Sequence, residues 1–88
     1  MSVRKNVQFT RLLKGQRGLS EFNFLKSFSD DEVIFKIDVT DERSNRISFV
    51  MQKTNNTWQI HADRLPEWII EHEATLHNCI EAELTEAG

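Results

Sequence analysis

The chain is short of several things, and each shortage narrows what it can be. It holds a single cysteine, Cys79, so no disulfide can form within it. A small scaffold stapled by bridges is thereby excluded, and the residue reads as a small hydrophobe in a reducing compartment. No apolar run approaches the roughly 20 residues that span a bilayer. The opening MSVRKNVQF carries basic residues with no apolar stretch behind them, so a secretory leader is not expected. These absences point to a cytoplasmic protein with no membrane partner. Asn55-Asn56-Thr57, a formal glycosylation acceptor, then means little. Internal repeats and low-complexity tracts are also missing. The 88 residues are read as one domain, because two cores cut from so short a chain would each be too small to hold. Residues 1–5 and 86–88 are expected to fray.

Charge of one sign is scarce in each end of the chain. Residues 65–88 contain no Lys or Arg beside Glu67, Glu71, Glu73, Glu81, Glu83 and Glu86. Residues 1–28 hold Arg4, Lys5, Arg11, Lys14, Arg17 and Lys26 against Glu21 alone. The net charge of -3 argues against a general polyanion binder. A fold that kept the two segments on different sides would nevertheless be electrically two-faced.

What is present is an ordinary globular composition, 39% hydrophobic and 28% charged. The clearest pattern runs from Asp63 to Leu84. Leu65, Trp68, Ile69, His72, Leu76, Cys79, Ile80 and Leu84 recur at three- and four-residue steps, which is one stripe of an α-helix. Glu67, Glu71, Ala74, Asn78, Glu81 and Thr85 fall opposite. Pro66, the only proline, suits the first helical position, and Asp63 is placed to cap the first amides. Upstream, Val33, Phe35, Ile37 and Val39 alternate with Ile34, Lys36, Asp38 and Thr40, as in a strand with one apolar face. The same alternation sets Ile47, Phe49 and Met51, then Trp58, Ile60 and Ala62, facing inward. Asn55-Asn56 suits a two-residue turn with positive φ, Ser29-Asp30-Asp31 is a turn signal, and 41–45 is a looser connection. Phe22, Phe24 and Phe28 predict a strand near 20–28. Residues 4–14 fit a strand through Val7, Phe9, Arg11 and Leu13, or a short helix through Phe9, Leu12 and Leu13. The fold class is therefore α+β, an antiparallel β-meander of three to four strands with one face covered by a C-terminal amphipathic helix.

Candidate chemistry is thin. His72 and His77 lie about 140° apart around a helix and cannot chelate one ion together. His72 reads as a core-edge histidine, and Glu73 with His77 as a surface pair. Cys79 sits where packing explains it, and burial would leave the thiol inert. No Ser occupies a strand-turn-helix elbow, and Asp30, Asp31 and Glu32 solvate a turn. No enzyme, metal or cofactor is expected. Gly15-Gln16-Arg17-Gly18 behind Lys14 resembles the backbone-clamping G-x-x-G of the KH family, or is simply a flexible loop. From Arg4 to Phe28, cations interleave with Phe9, Phe22, Phe24 and Phe28. That mix builds single-stranded nucleic-acid grooves, or equally a core beneath a solvated face.

Laid end to end, Phe35-Lys36-Ile37-Asp38-Val39, Ile47-Ser48-Phe49-Val50-Met51, Trp58-Gln59-Ile60 and the helix from Leu65 to Ile80 resemble one repeat of the Pur-alpha family, and more loosely the Whirly family. The resemblance is one of hydrophobic spacing over a little more than half of the chain. It implies four strands and a helix, pairing with a second copy, and single-stranded nucleic-acid binding through the sheet. The apolar Ile34 and Val50, with Leu25, on the outward face agree with a homodimer. By parity, however, Phe35, Phe49 and Trp58 point toward the helix, leaving no stacking ring on the open face. The expected function is a non-enzymatic, self-associating binding module. Single-stranded nucleic acid would be held by Arg11, Lys14, Arg17 and Lys26. The alternative is a protein partner on the open face of Ile34, Lys36, Val50 and Gln52.

Overall fold

The computed structural model describes residues 7–15, 18–41 and 43–87, without the side chains of 86 and 87. These residues form five strands and two helices: β1 (Gln8–Gly15), β2 (Gly18–Ser29), β3 (Glu32–Thr40), β4 (Arg46–Thr54), β5 (Thr57–His61), α1 (Glu67–Ile70) and α2 (Glu73–Ala87). The strands lie in the order β1-β2-β3-β4-β5, each antiparallel to the next, in a sheet curled into a half-barrel. The α+β meander with a helix-covered face is as expected. The strand count is a correction, five in place of three or four, because residues 8–15 form a strand and not a helix. Phe9 and Leu13 on one face of β1 are buried while Thr10, Leu12 and Lys14 on the other are exposed. A strand with one covered face takes that pattern.

Turn chemistry sets the register. Asp30 and Asp31 have φ of 50° and 65°, and Asn55 and Asn56 have 52° and 66°. Both pairs make two-residue hairpins of the type whose twist matches the strands they join. Ser29 accordingly faces Glu32, and Thr54 faces Thr57. Between β3 and β4, Asp41 Oδ1 accepts the backbone N–H groups of Arg43 (2.9 Å) and Asn45 (2.8 Å). These bonds, that of Asn45 foremost, hold the Asp41 carboxyl below the usual aspartate range.

The inner face buries Phe22, Phe24, Phe35, Ile37, Val39 and Met51 completely or nearly so, against Ile69, Leu76 and Ile80 of the helices. Phe9 stacks on Phe24 at 4.4 Å and Trp58 meets Phe35 edge-on at 5.1 Å. Each such ring contributes about 1.5–3 kcal/mol by leaving water. The helical stripe read from the sequence is the one that packs, since every member from Leu65 to Leu84 is buried or half-buried.

The single helix expected from Asp63 to Leu84 is two. At the junction His72 N–H bonds Ile69 C=O at 3.0 Å, a three-residue step, and Leu76 N–H then bonds His72 C=O at 2.8 Å. This local tightening separates α1 from α2 while Ile69, His72 and Leu76 all stay buried. Pro66 occupies the N-cap position, with ψ of 147°, and no side chain caps α1, so the capping role expected of Asp63 is not found. Ala62, expected to face inward, lies beyond β5 and is exposed. The fraying expected of residues 1–5 and of Gly88 lies outside the described residues.

Candidate interaction surface

Register fixes what each side chain faces, because cross-strand partners share a face of the sheet. On the outer face Leu25, Lys36, Val50 and His61 form one row and Ser27, Ile34, Gln52 and Gln59 the next. Ile34, Lys36, Val50 and Gln52, expected to form a partner face, are therefore neighbours. Ile34 is only 7% exposed although it stands outside the inner core cluster, so its surroundings on this face already shield it. Leu25 is 41% exposed. A depression of about 350 Å³ lies beside them, lined by Leu25, Lys36, Asp38, Ser48 and Val50 with Ile37 and Phe49 of the strands below. A polar row borders it, in which Thr10 Oγ1 donates to Asn23 Oδ1 (2.7 Å) and Asn23 Nδ2 donates to Asp38 Oδ1 (3.1 Å).

Of the basic residues expected to hold phosphates, the three described ones, Arg11, Lys14 and Lys26, do not share a surface. Lys14 stands exposed on the outer face. Arg11 and Lys26 are cross-strand partners of Phe22 and Phe35 and so point to the inner, helix-bearing side. Arg11 lies over the Phe9 ring at 4.9 Å and pairs with Glu83 of α2 at 2.9 Å. Lys26 Nζ sits 5.7 Å from the Phe28 ring, at a cavity shared with Glu32, Val33, Lys53, Trp58 and Leu84. Arg17 lies outside the described residues. Arg11 of the basic segment thus meets Glu83 of the acidic one, and Lys53 reaches Glu81 at 3.3 Å. The rings interleaved with these cations are mostly core: Phe9, Phe22 and Phe24 are buried, and Phe28 is 42% exposed.

Gly15 and Gly18 are cross-strand partners at the ends of β1 and β2, and the two residues between them lie outside the described residues. Gly18 has φ of +99°, which a side chain resists. At Gly15 a Cβ would come within 3.1 Å of His72 Nε2. His72 itself is 9% exposed and meets Phe22 edge-on, the core-edge histidine that was expected.

Sequence reasoning missed the role of Glu73 and His77. His77 Nδ1 accepts the Trp58 N–H (3.0 Å) and Glu73 Oε2 accepts the Ile60 N–H (2.8 Å). Two acceptors one helical turn apart meet two donors two residues apart on a strand, so α2 occupies the outer edge of β5. The available signal was a pair of acceptors at i, i+4 on the helix that follows the last strand. Beside them Glu81 Oε2 accepts Trp58 Nε1–H at 2.8 Å and the Lys53 ammonium at 3.3 Å. The Trp58 bond above all holds the Glu81 carboxyl below the ordinary glutamate range. Burial pushes the Cys79 thiol up, against the opposing charge of Arg11. Among the described residues no three His, Cys, Asp or Glu side chains converge on a metal-sized site. No described helix is long and apolar enough to cross a membrane.

No family model matches this chain, and no match was found among curated proteins or among solved structures. The likeness to a Pur-alpha repeat rests on hydrophobic spacing alone.

Proposed function

We propose that this domain is a non-enzymatic, self-associating module that binds another protein through the outer face of its sheet. The observation that carries this reading is the register of β3 with β4, which sets Ile34 against Gln52 and Lys36 against Val50 beside the depression at Leu25. A mixed apolar and polar patch of this kind suits a protein partner, since non-obligate interfaces combine an apolar centre with a polar rim. Against single-stranded nucleic acid stand the division of Arg11, Lys14 and Lys26 between two faces and the burial of three of the four interleaved rings. Stacking platforms need exposed rings beside the cations.

Two experiments separate the readings. Labelled single-stranded oligonucleotide titrated at low salt should not bind, and affinity that falls as salt rises would restore the nucleic-acid reading. Affinity capture should retain proteins that the doubly substituted Leu25→Lys, Val50→Lys variant loses. Identical retention by both would contradict the outer face as the contact.

A further inference from the structure

The two edges of the sheet are treated differently. At β5 the outward N–H groups of Trp58 and Ile60 are taken by His77 and Glu73, and α2 lies closest to that strand. At β1 the described residues offer nothing comparable. Lys26 N–H bonds Val7 C=O at 2.9 Å, so Val7 and Lys26 form a hydrogen-bonded pair, and the alternation of an antiparallel ladder makes Phe9, Arg11 and Leu13 the next ones. Gln8, Thr10, Leu12 and Lys14 therefore turn their backbone N–H and C=O groups away from β2. Among the described residues the one bond to this edge is Arg11 Nη1–H to Thr10 C=O, at 3.1 Å. β1 is eight residues long, carries no proline, and exposes Leu12 to 61%. An edge of that kind is a template for another strand.

We infer that β1 pairs with β1 of a second copy about a two-fold axis at Leu12, joining the two sheets into one; this rests on the self-association proposed above. An isologous contact requires a strand that complements itself when reversed. About Leu12 the outward-bonding residues read Thr10, Leu12, Lys14, so Leu12 meets the partner's Leu12 and each Thr10 meets the partner's Lys14. Every one of these is a hydrogen-bonding position, and the exposed leucines cover one another on the outer face. A register one residue shorter, centred on Arg11, would set two guanidinium groups directly opposite, where like charges repel. The Leu12 register sets Arg11 against the partner's Leu13 instead. The outer faces of the two halves then run together, so the patches around Leu25 and Val50 lie on one continuous surface.

The test uses the full chain. Leu12 is a non-hydrogen-bonded partner of Glu21, so L12P removes an outward donor and no bond to β2. L12P and the gentler L12K should keep the circular dichroism of the parent and fall to the mass of one chain, 10.3 kDa. In a Cys79→Ala background, L12C should give a covalent dimer on mild oxidation, whereas T10C, which faces the partner's Lys14, should not. A parent dimer that survives both L12P and L12K, or that crosslinks through T10C in place of L12C, would overturn the edge pairing and leave self-association standing. A monomeric parent would overturn self-association itself.

Discussion

Glu73 Oε2 accepts the backbone N–H of Ile60 at 2.8 Å, and one turn further along α2 His77 does the same for Trp58 at 3.0 Å. Among the described residues no strand lies beyond these part-buried donors, so truncating either acceptor leaves an amide without its bond. Glu73→Ala and His77→Ala should each cost about 1–3 kcal/mol, read as a lower midpoint in denaturant at an unchanged slope. The double variant should also aggregate faster, because its second edge is then open.

Glu81 links Trp58 and Lys53, and its carboxyl is held below the ordinary glutamate value by the Trp58 hydrogen bond first. A group whose folded pKa is depressed stabilises the fold above its unfolded pKa of about 4.3, and that contribution disappears as pH falls through the lower folded value. The stability difference between the parent and Glu81→Gln should therefore be largest at neutral pH and shrink on acidification below about pH 4. Urea titrations at stepped pH, followed by Trp fluorescence, would read it.

Gly18 has φ of +99° with open space around it, so a side chain there meets backbone strain and no clash. Gly18→Ala should cost about 1–3 kcal/mol in thermal or denaturant unfolding and leave the native spectrum unchanged.

Arg11 and Glu83 form an ion pair whose side chains are 37% and 26% exposed. Arg11→Ala should cost no more than about 1 kcal/mol, consistent with a screened pair, and the loss should diminish in high salt. A larger, salt-independent loss would mean that packing over Phe9 carries the effect.

Much of this fold is legible in the chain because strands with one covered face repeat every two residues. Phe35, Ile37 and Val39, then Phe49 and Met51, are buried as their parity requires, and Asp30-Asp31 and Asn55-Asn56 turn where their φ tolerance allows. β1 was ambiguous because Leu12 and Leu13 are adjacent apolar residues that fit either period, and only the tertiary setting leaves Leu12 in water and Leu13 in the core. The break at His72 left no mark, since the 3.6-residue stripe runs through it undisturbed. The geometry of the candidate surface was legible in part. Ile34, Lys36, Val50 and Gln52 follow from parity within two neighbouring strands. The placement of Arg11 against Glu83 depends on how α2 crosses the sheet, which local pattern does not encode, whereas Glu73 against Ile60 had only the i, i+4 acceptor pair to mark it. Linear segregation of charge says nothing of faces when alternate residues point opposite ways.

Self-association is the claim on which the β1 pairing and the continuous outer surface both depend, and it is tested most directly by molar mass. Light scattering on the parent chain at high protein concentration should return twice the 10.3 kDa of one chain, falling to that single value for L12K. A parent mass of 10.3 kDa at every concentration would contradict it.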